Sequence, residues 1–325
     1  MDFSQIGGFD VLLNNIKPDG NIDLINLTFY IISNCCHLFH RDYVKELAPV
    51  VKDNIFEFLN KMSMDQLRNI KKETLESINK VLKYLLTKTL SKQESDAVLE
   101  NFSINFSLRM IKTEYFDKRK QAVMNLCEII KGTRGNIEKR KNLLKVLEEN
   151  DVFDAIFGRN AHHQIISMSK EILELLLQNG RINDAEIEII CSGIKSGGNI
   201  EEKLTILKLL SEVSTSLSEK HISFILSLIY ASKLQLQDMH KEEIDLIYAL
   251  STHYTQDEEN LNKCLHFFVN AILTSKEMEG DKINHIINKV YDFTMRYSRF
   301  RKEVIVLCIN SLEKVLISFI KYKYK

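Results

Sequence analysis

The chain has 325 residues, and its 44 basic and 44 acidic side chains give a formal net charge of zero. Its hydrophobic content of 45%, together with this neutrality, excludes a mainly disordered chain. Only 11 glycines and 2 prolines are present, whereas strand-rich folds need these residues in many tight turns. The composition therefore excludes collagen-like, disulfide-scaffold and β-barrel proteins and favours long helices joined by short loops.

Helical periodicity runs through the first 150 residues. The apolar spacing predicts helices near 21–39, 41–61, 64–89, 92–111, 115–132 and 138–150. Two capping-box pairs, Ser63 with Gln66 and Ser91 with Glu94, mark the start of two of these helices. Pro49 lies inside the second helix and predicts a kink or a late start, because proline lacks a backbone N–H.

Helix breaks recur about every 40 residues in the second half of the chain. They form two interleaved series, Gly158, Gly197, Asp238 and Gly280, and Gly180, Ser218, Asp257 and Ser298. This interleaving predicts two helices of about 15 to 18 residues in each repeat, as in HEAT and armadillo proteins. Stacked helix pairs of this kind bury a continuous core that one pair cannot bury alone.

Capping signals support these boundaries. Asn183 with Glu186, and Asn199 with Glu202, have the spacing of a helix N-cap followed by a carboxylate in the first turn. Gly180 stands where a left-handed residue would end a helix. We therefore predict an all-α fold, a right-handed α-solenoid of armadillo- or HEAT-like helix pairs.

No linker rich in glycine, serine or proline divides the chain. We predict one helical-repeat domain over 1–325, with less regular helices over 1–110 and regular helix pairs over 111–325.

The sequence contains no nucleotide-binding glycine loop and no HExxH motif. Cys36 with His40, and the pair His162–His163, lack the second ligand pair that a structural zinc site needs. Five of the six cysteines lie in apolar helical stretches, not in loops that stabilise a thiolate. We therefore expect no catalytic, cofactor-binding or metal-binding residues, no cofactor and no enzyme activity in this chain.

The scattered cysteines favour reduced thiols, so we expect a cytoplasmic location, or a nuclear one as well. The longest uncharged run, 24–40, is too short and too polar to span a bilayer. We therefore expect no membrane insertion.

The segment Ile156–His162, IFGRNAH, resembles the IFGxNxH motif of the armadillo-like repeat region in the large, fat-facets-type ubiquitin-specific proteases. The matching positions are Ile156, Phe157, Gly158, Asn160 and His162. The wider resemblance covers roughly 110–255. We predict a structural role for this segment, in which Phe157 packs between two repeats, Gly158 closes the preceding helix, and Asn160 or His162 caps the next one.

In that family the helical region is non-catalytic, and the peptidase domain carries a Cys box and a His box that we do not find here. The resemblance implies a protein-binding scaffold that positions partners or substrates in the ubiquitin pathway. A fragment of such a protease, a truncated gene product and a stand-alone relative all fit this pattern.

The alternative function is a helical-repeat adaptor that binds RNA or transport cargo through a basic C-terminal region. Its candidate residues are Arg296, Arg299, Arg301 and Lys302. Bases interleaved with aromatic residues can bind nucleic acid, but the neutral chain favours protein partners over nucleic acid. A cysteine hydrolase without recognisable motifs is a third possibility. We expect no small-molecule substrate.

Overall fold

The computed structural model describes residues 11–12, 14–16, 20–38, 41–159, 161–195, 199–231, 240–253, 261, 264–269, 280–297, 302 and 305–306. About 85% of these residues are helical and none of them lies in a strand. The predicted all-α fold is therefore confirmed. Several predictions concern residues outside the described ones, namely those on His40, Asn160, Gly197, Asp238, Asp257, Ser298, Arg299 and Arg301.

The described helices up to residue 157 match the predicted ones closely, with one exception. They are α1 (Ile22–Cys35), α2 (Arg41–Lys61), α3 (Met64–Asn69), α4 (Lys72–Thr89), α5 (Lys92–Ile111), α6 (Phe116–Gly132), α7 (Ile137–Glu149) and α8 (Val152–Phe157). The single helix predicted near 64–89 is wrong, because Ile70 and Lys71 are extended between α3 and α4. The break lets the side chain of Ile70 be buried. Helix α2 begins at Arg41, so Pro49 does not delay its start, and the alternative, a kink at Pro49, stays a prediction.

The later helices are α9 (His163–Met168), α10 (Lys170–Gln178), α11 (Asp184–Lys195), α12 (Ile200–Glu212), α13 (Glu219–Ala231), α14 (Lys241–His253) and α15 (Gly280–Arg296). Helices α11 to α14 contain 12 or 13 residues, and α15 contains 17. Most are shorter than the predicted 15 to 18 residues, because caps and turns occupy part of each half-repeat. The buried Ser169 also separates α9 from α10, where its hydroxyl donates to the Ile166 carbonyl at 2.8 Å.

The predicted capping interactions explain where many helices begin and end. Reciprocal hydrogen bonds join Ser63 to Gln66, Ser91 to Glu94, and Asn183 to Glu186. Asn199 caps α12 by accepting from the Glu201 N–H at 3.0 Å. Gly180 has φ 64°, and the next N–H, that of Arg181, donates to the Leu176 carbonyl at 2.9 Å. Those two features form a Schellman C-cap, so the predicted left-handed residue at Gly180 is confirmed.

Contacts within the chain divide it into two compact units, Met1–Ile156 and Phe157–Lys325. In the first unit, α4 packs against α1 and α2, while α5 packs against α2, α4 and α6. Apolar residues therefore lie on several sides of α5, among them Phe102, Leu108 and Met110. The single domain over 1–325 stays a prediction.

The helices of the second unit pack in two rows. One row contains α9, α12, α14 and α15, each in contact with the next. The other contains α11 and α13, which pack against one another. Helix α11 also contacts α12, and α13 contacts α14. The two rows are therefore joined by pairs of helices that follow each other in the chain.

Charged side chains tie the first of these rows together. His163 Nε2 lies 3.4 Å from a carboxylate oxygen of Glu201 on α12. Lys203 Nζ of α12 lies 2.9 Å from Oε1 of Glu243 on α14. On the other side of α14, Asp245 accepts from Lys289 of α15 at 2.7 Å. Most of these partners are about 40 residues apart, the period that the sequence predicts.

Candidate partner-binding sites

The predicted family motif joins two helices. Ile156 and Phe157 are buried, and α8 ends at Phe157, directly before Gly158. His162 is the N-cap of α9, and its Nδ1 accepts from the Gln164 N–H at 3.2 Å. The described motif residues thus end one helix and begin the next.

The adjacent imidazoles of His162 and His163 stack, with ring centroids 4.5 Å apart. His163 also faces Glu201, as described above. Within the residues that the structure describes, no group of three or more His, Cys, Asp or Glu side chains is placed to hold a metal ion. In this structure His162 caps α9 and His163 contacts α12.

The described thiols lie on helices and most are buried. Cys36, Cys127, Cys191 and Cys264 are buried, and Cys35 is half-buried. Burial raises the pKa of Cys36 and raises the pKa of Cys264 to about 12. Both thiols are therefore held protonated near neutral pH, a form that is a poor nucleophile.

The predicted basic cluster is only partly described. Arg296 is exposed in the last turn of α15, and Lys302 is exposed beyond it. Arg299 and Arg301 lie outside the described residues, so the clustering stays a prediction. The Arg296 guanidinium carbon lies 6.0 Å from the ring centroid of Tyr248 on α14, so it takes part in a contact within the chain.

Tyr248 lies close to two cations of α15, Lys289 and Arg296. Lys289 Nζ is 4.8 Å from the Tyr248 ring centroid, a distance at which a cation is attracted to the ring face. The Tyr248 hydroxyl is buried, and no described residue forms a hydrogen bond with it. Burial raises its pKa, an effect that Arg296 partly offsets. These contacts stabilise the packing of α15 on α14.

A shallow surface cleft between α2 and α5, here called the Arg109 pocket, was not predicted from the sequence. The empty space among its lining residues is about 230 Å³ when the adjoining open solvent is included, so the cleft is not an enclosed cavity. Its lining residues are Phe56, Leu59 and Asn60 on α2, and Phe102, Asn105, Phe106 and Arg109 on α5. Phe102, Phe106 and Arg109 follow one another at spacings of four and three residues, so they share one face of α5.

Aromatic rings form the walls and floor of the Arg109 pocket. Phe56 and Phe102 meet edge to face, with ring centroids 5.3 Å apart. Phe102 and Phe106 are nearly parallel, with centroids 6.2 Å apart. Asn60 and Asn105 are exposed at the rim. The pocket thus combines an apolar interior with amide groups at its edge.

One end of the pocket is formed by the partly buried guanidinium of Arg109. Its Nη2 donates to the Met62 carbonyl, just beyond the end of α2, at 2.5 Å. Its Nη1 is buried and has no hydrogen-bond partner among the described residues, and burial lowers the pKa of the group. Among the described side chains, no carboxylate forms an ion pair with Arg109. No described acidic side chain therefore neutralises the charge of Arg109.

None of the described helices is both long enough and apolar enough to span a bilayer. No protein-family model and no curated protein matches the chain.

Proposed function

We propose that the chain is a non-catalytic, protein-binding scaffold built as an α-solenoid of helix pairs with about 40 residues per repeat. The observation that carries this proposal is the packing of the second unit. Its helices form two rows, and charged side chains form ion pairs between helices whose paired residues are about 40 positions apart. Repeats that contact mainly their neighbours expose long series of helix faces, which such proteins use for binding.

The pathway is proposed from the resemblance between Ile156–His162 and the repeat region of the large ubiquitin-specific proteases. The buried Phe157 and the capping His162 are compatible with a structural role for that segment. The proposed partners are substrates or adaptors of the ubiquitin pathway, in the cytoplasm or the nucleus.

Proximity labelling tests the pathway directly. A biotin ligase fused to the full chain should label ubiquitin ligases, deubiquitinases or ubiquitinated proteins more strongly than a fusion to an unrelated helical-repeat protein at matched expression. Equal labelling by the two fusions would contradict a role in the ubiquitin pathway.

Salt dependence separates protein binding from the RNA-binding alternative. A partner protein identified by labelling should bind the full chain with a dissociation constant that rises modestly between 50 and 200 mM salt. RNA held by six to ten phosphate contacts would lose about 10³- to 10⁵-fold in affinity over that range. A loss of that size, seen with RNA and not with proteins, would favour the adaptor.

The non-catalytic part of the proposal rests on thiol chemistry. A cysteine peptidase needs a thiolate, a histidine and donors for the oxyanion, whereas burial holds Cys36 and Cys264 protonated. The purified chain should hydrolyse a fluorogenic ubiquitin substrate only at the background rate. Turnover that disappears in Cys35→Ala, at the most exposed described thiol, would establish an enzyme instead.

A further inference from the structure

We propose that Asn179 is a site of spontaneous deamidation, and that this reaction turns a brief opening at the end of α10 into a permanent weakening of the second unit. Asn179 and Gly180 form the one Asn–Gly pair in the sequence. Both residues are exposed in the turn between α10 and α11. Such a modification site is independent of the proposed protein-binding function.

Deamidation is an attack by a backbone nitrogen on the preceding side chain. The Gly180 nitrogen loses its proton and adds to Cγ of Asn179, so a C–N bond forms and the bond from Cγ to Nδ2 breaks. Ammonia leaves with the proton that the nitrogen gave up, and water opens the resulting succinimide to aspartate or isoaspartate. Glycine has no Cβ to hinder the approach, whereas every other asparagine in the sequence precedes a residue with a side chain.

The folded turn restrains both reacting groups. The carboxamide Nδ2 of Asn179 donates to the Leu175 carbonyl at 2.7 Å. The attacking nitrogen, that of Gly180, donates to the Leu177 carbonyl at 3.0 Å. Attack requires this nitrogen to lose its proton and the carboxamide to turn towards it, and the two bonds oppose both events. The rate of deamidation therefore follows the fraction of molecules in which the turn is open.

The turn lies where local opening costs little. Helix ends fray, and α10 contains only 9 residues. A Cβ added at Gly180 would meet nothing within 4 Å among the described residues beyond its chain neighbours. Little packing therefore opposes the opening of this turn.

The product cannot rebuild the closed turn. A carboxylate at residue 179 has no N–H to donate to the Leu175 carbonyl, and a negative charge is unfavourable at a helix C-terminus. Isoaspartate also adds a methylene to the backbone before Gly180, which displaces the N–H groups of the Schellman cap. Ile182 is buried just after the turn, so the displacement reaches the core. Each modified molecule therefore has a weaker connection between α10 and α11.

Ageing of the purified full chain at physiological temperature and pH, with and without guanidinium chloride, tests the site. Trypsin cleavage after Lys170 and Arg181 releases residues 171–181, in which aspartate and isoaspartate are separated by chromatography and identified by mass spectrometry. Asn179 should be converted about 10- to 100-fold more slowly in the folded chain than in the denatured chain, because the closed turn competes with attack.

A second asparagine close by is the internal control. Asn183 precedes an aspartate and should stay unmodified while Asn179 is converted. Equal rates at Asn179 with and without denaturant would show that the turn does not control the reaction. No conversion in the folded chain, or earlier conversion of another asparagine, would overturn the assignment of the site.

Gly180→Asn removes the reactive pair with little change to the turn. Asparagine tolerates the left-handed conformation of residue 180, and space for its side chain is open. In guanidinium chloride this variant should convert Asn179 about 10-fold more slowly than the parent, since the new Cβ hinders the attack. Fragment spectra distinguish residue 179 from residue 180. Conversion at the parental rate would contradict an origin in the Asn–Gly pair.

Asn179→Asp reproduces one product of the reaction and tests its consequence. The full chain with this change should melt about 1–6 °C below the parent, the shift expected for losing one hydrogen bond. Asn288→Asp makes the same change of charge at an exposed position on α15 and should melt like the parent. Equal melting of Asn179→Asp and the parent would overturn the proposed weakening of the second unit.

Discussion

The described, partly buried cations of the two units have different kinds of hydrogen-bond acceptor. In the second unit, Lys203 pairs with the carboxylate of Glu243, which is 1% exposed. In the first unit, three cations donate to backbone carbonyls near helix ends. Arg109 donates to Met62, Lys118 to Ile70 and Arg119 to Ala155. Burial lowers the pKa of all three.

This difference concerns how the charge of each cation is compensated within the fold. A cation that pairs with a buried carboxylate is neutralised within the fold and holds two helices in register. A cation at a helix C-terminus interacts with carbonyl dipoles, which leave its net charge in place. Among the described residues, Arg109 and Lys118 therefore have carbonyl dipoles as acceptors, whereas the charge of Lys203 is neutralised by Glu243.

The largest expected effect concerns the segment between α8 and α9. Phe157 is 6% exposed, so Phe157→Ala should lower the free energy of unfolding by about 3–5 kcal/mol. Urea denaturation followed by circular dichroism measures this change. A variant that unfolds like the parent but no longer binds a partner would show that Phe157 is a surface contact.

The next effect tests whether the Lys203–Glu243 ion pair stabilises the fold. Lys203→Met leaves the buried Glu243 without its cation, although the His240 N–H still donates to that carboxylate. The free energy of unfolding should fall by about 2–3 kcal/mol. This is at or below the lower end of the range for removing one partner of a fully buried ion pair, because Lys203 is partly exposed. Lys208→Met, an exposed lysine on the same helix, should unfold like the parent. Equal stability of the two variants would contradict a structural role for the pair.

Arg109→Met should cost less than Lys203→Met because it leaves no carboxylate unpaired. Among the described contacts, the variant loses the hydrogen bond to the Met62 carbonyl. Such a bond from a partly exposed charged donor contributes about 1–2 kcal/mol. Chemical denaturation of the two variants under identical conditions gives the comparison. A larger loss for Arg109→Met would mean that the bond to the Met62 carbonyl contributes more to the stability of the fold than the Lys203–Glu243 pair.

Much of the fold could be predicted from local sequence, because capping chemistry acts within one turn. Ser91 with Glu94 and Gly180 mark helix ends that the structure confirms. The break at Ile70 could not be predicted, since it depends on burying that side chain against other helices. The Arg109 pocket was missed because Phe102 and Phe106 have the spacing of core residues. Their role depends on α2, which lies more than 40 residues earlier.

The smallest expected effect is a pH dependence from the second unit. Burial lowers the pKa of His221 below its usual 6.5, with opposing contributions from Asp184 and Lys220. The unfolded chain therefore binds more protons than the folded chain just below pH 6.5, so stability falls as the pH drops through that region. His221→Gln should reduce this acid sensitivity in urea titrations between pH 7 and 5. His266→Gln, at an exposed histidine, should retain it.

A double-mutant cycle on Lys203 and Glu243 tests most directly whether ion pairs between helices about 40 residues apart hold the second unit together. The predicted result is a coupling energy of about 0.5–3 kcal/mol in the free energy of unfolding, the range for residues in direct contact. Effects of the two single substitutions that simply add in the double variant would contradict it.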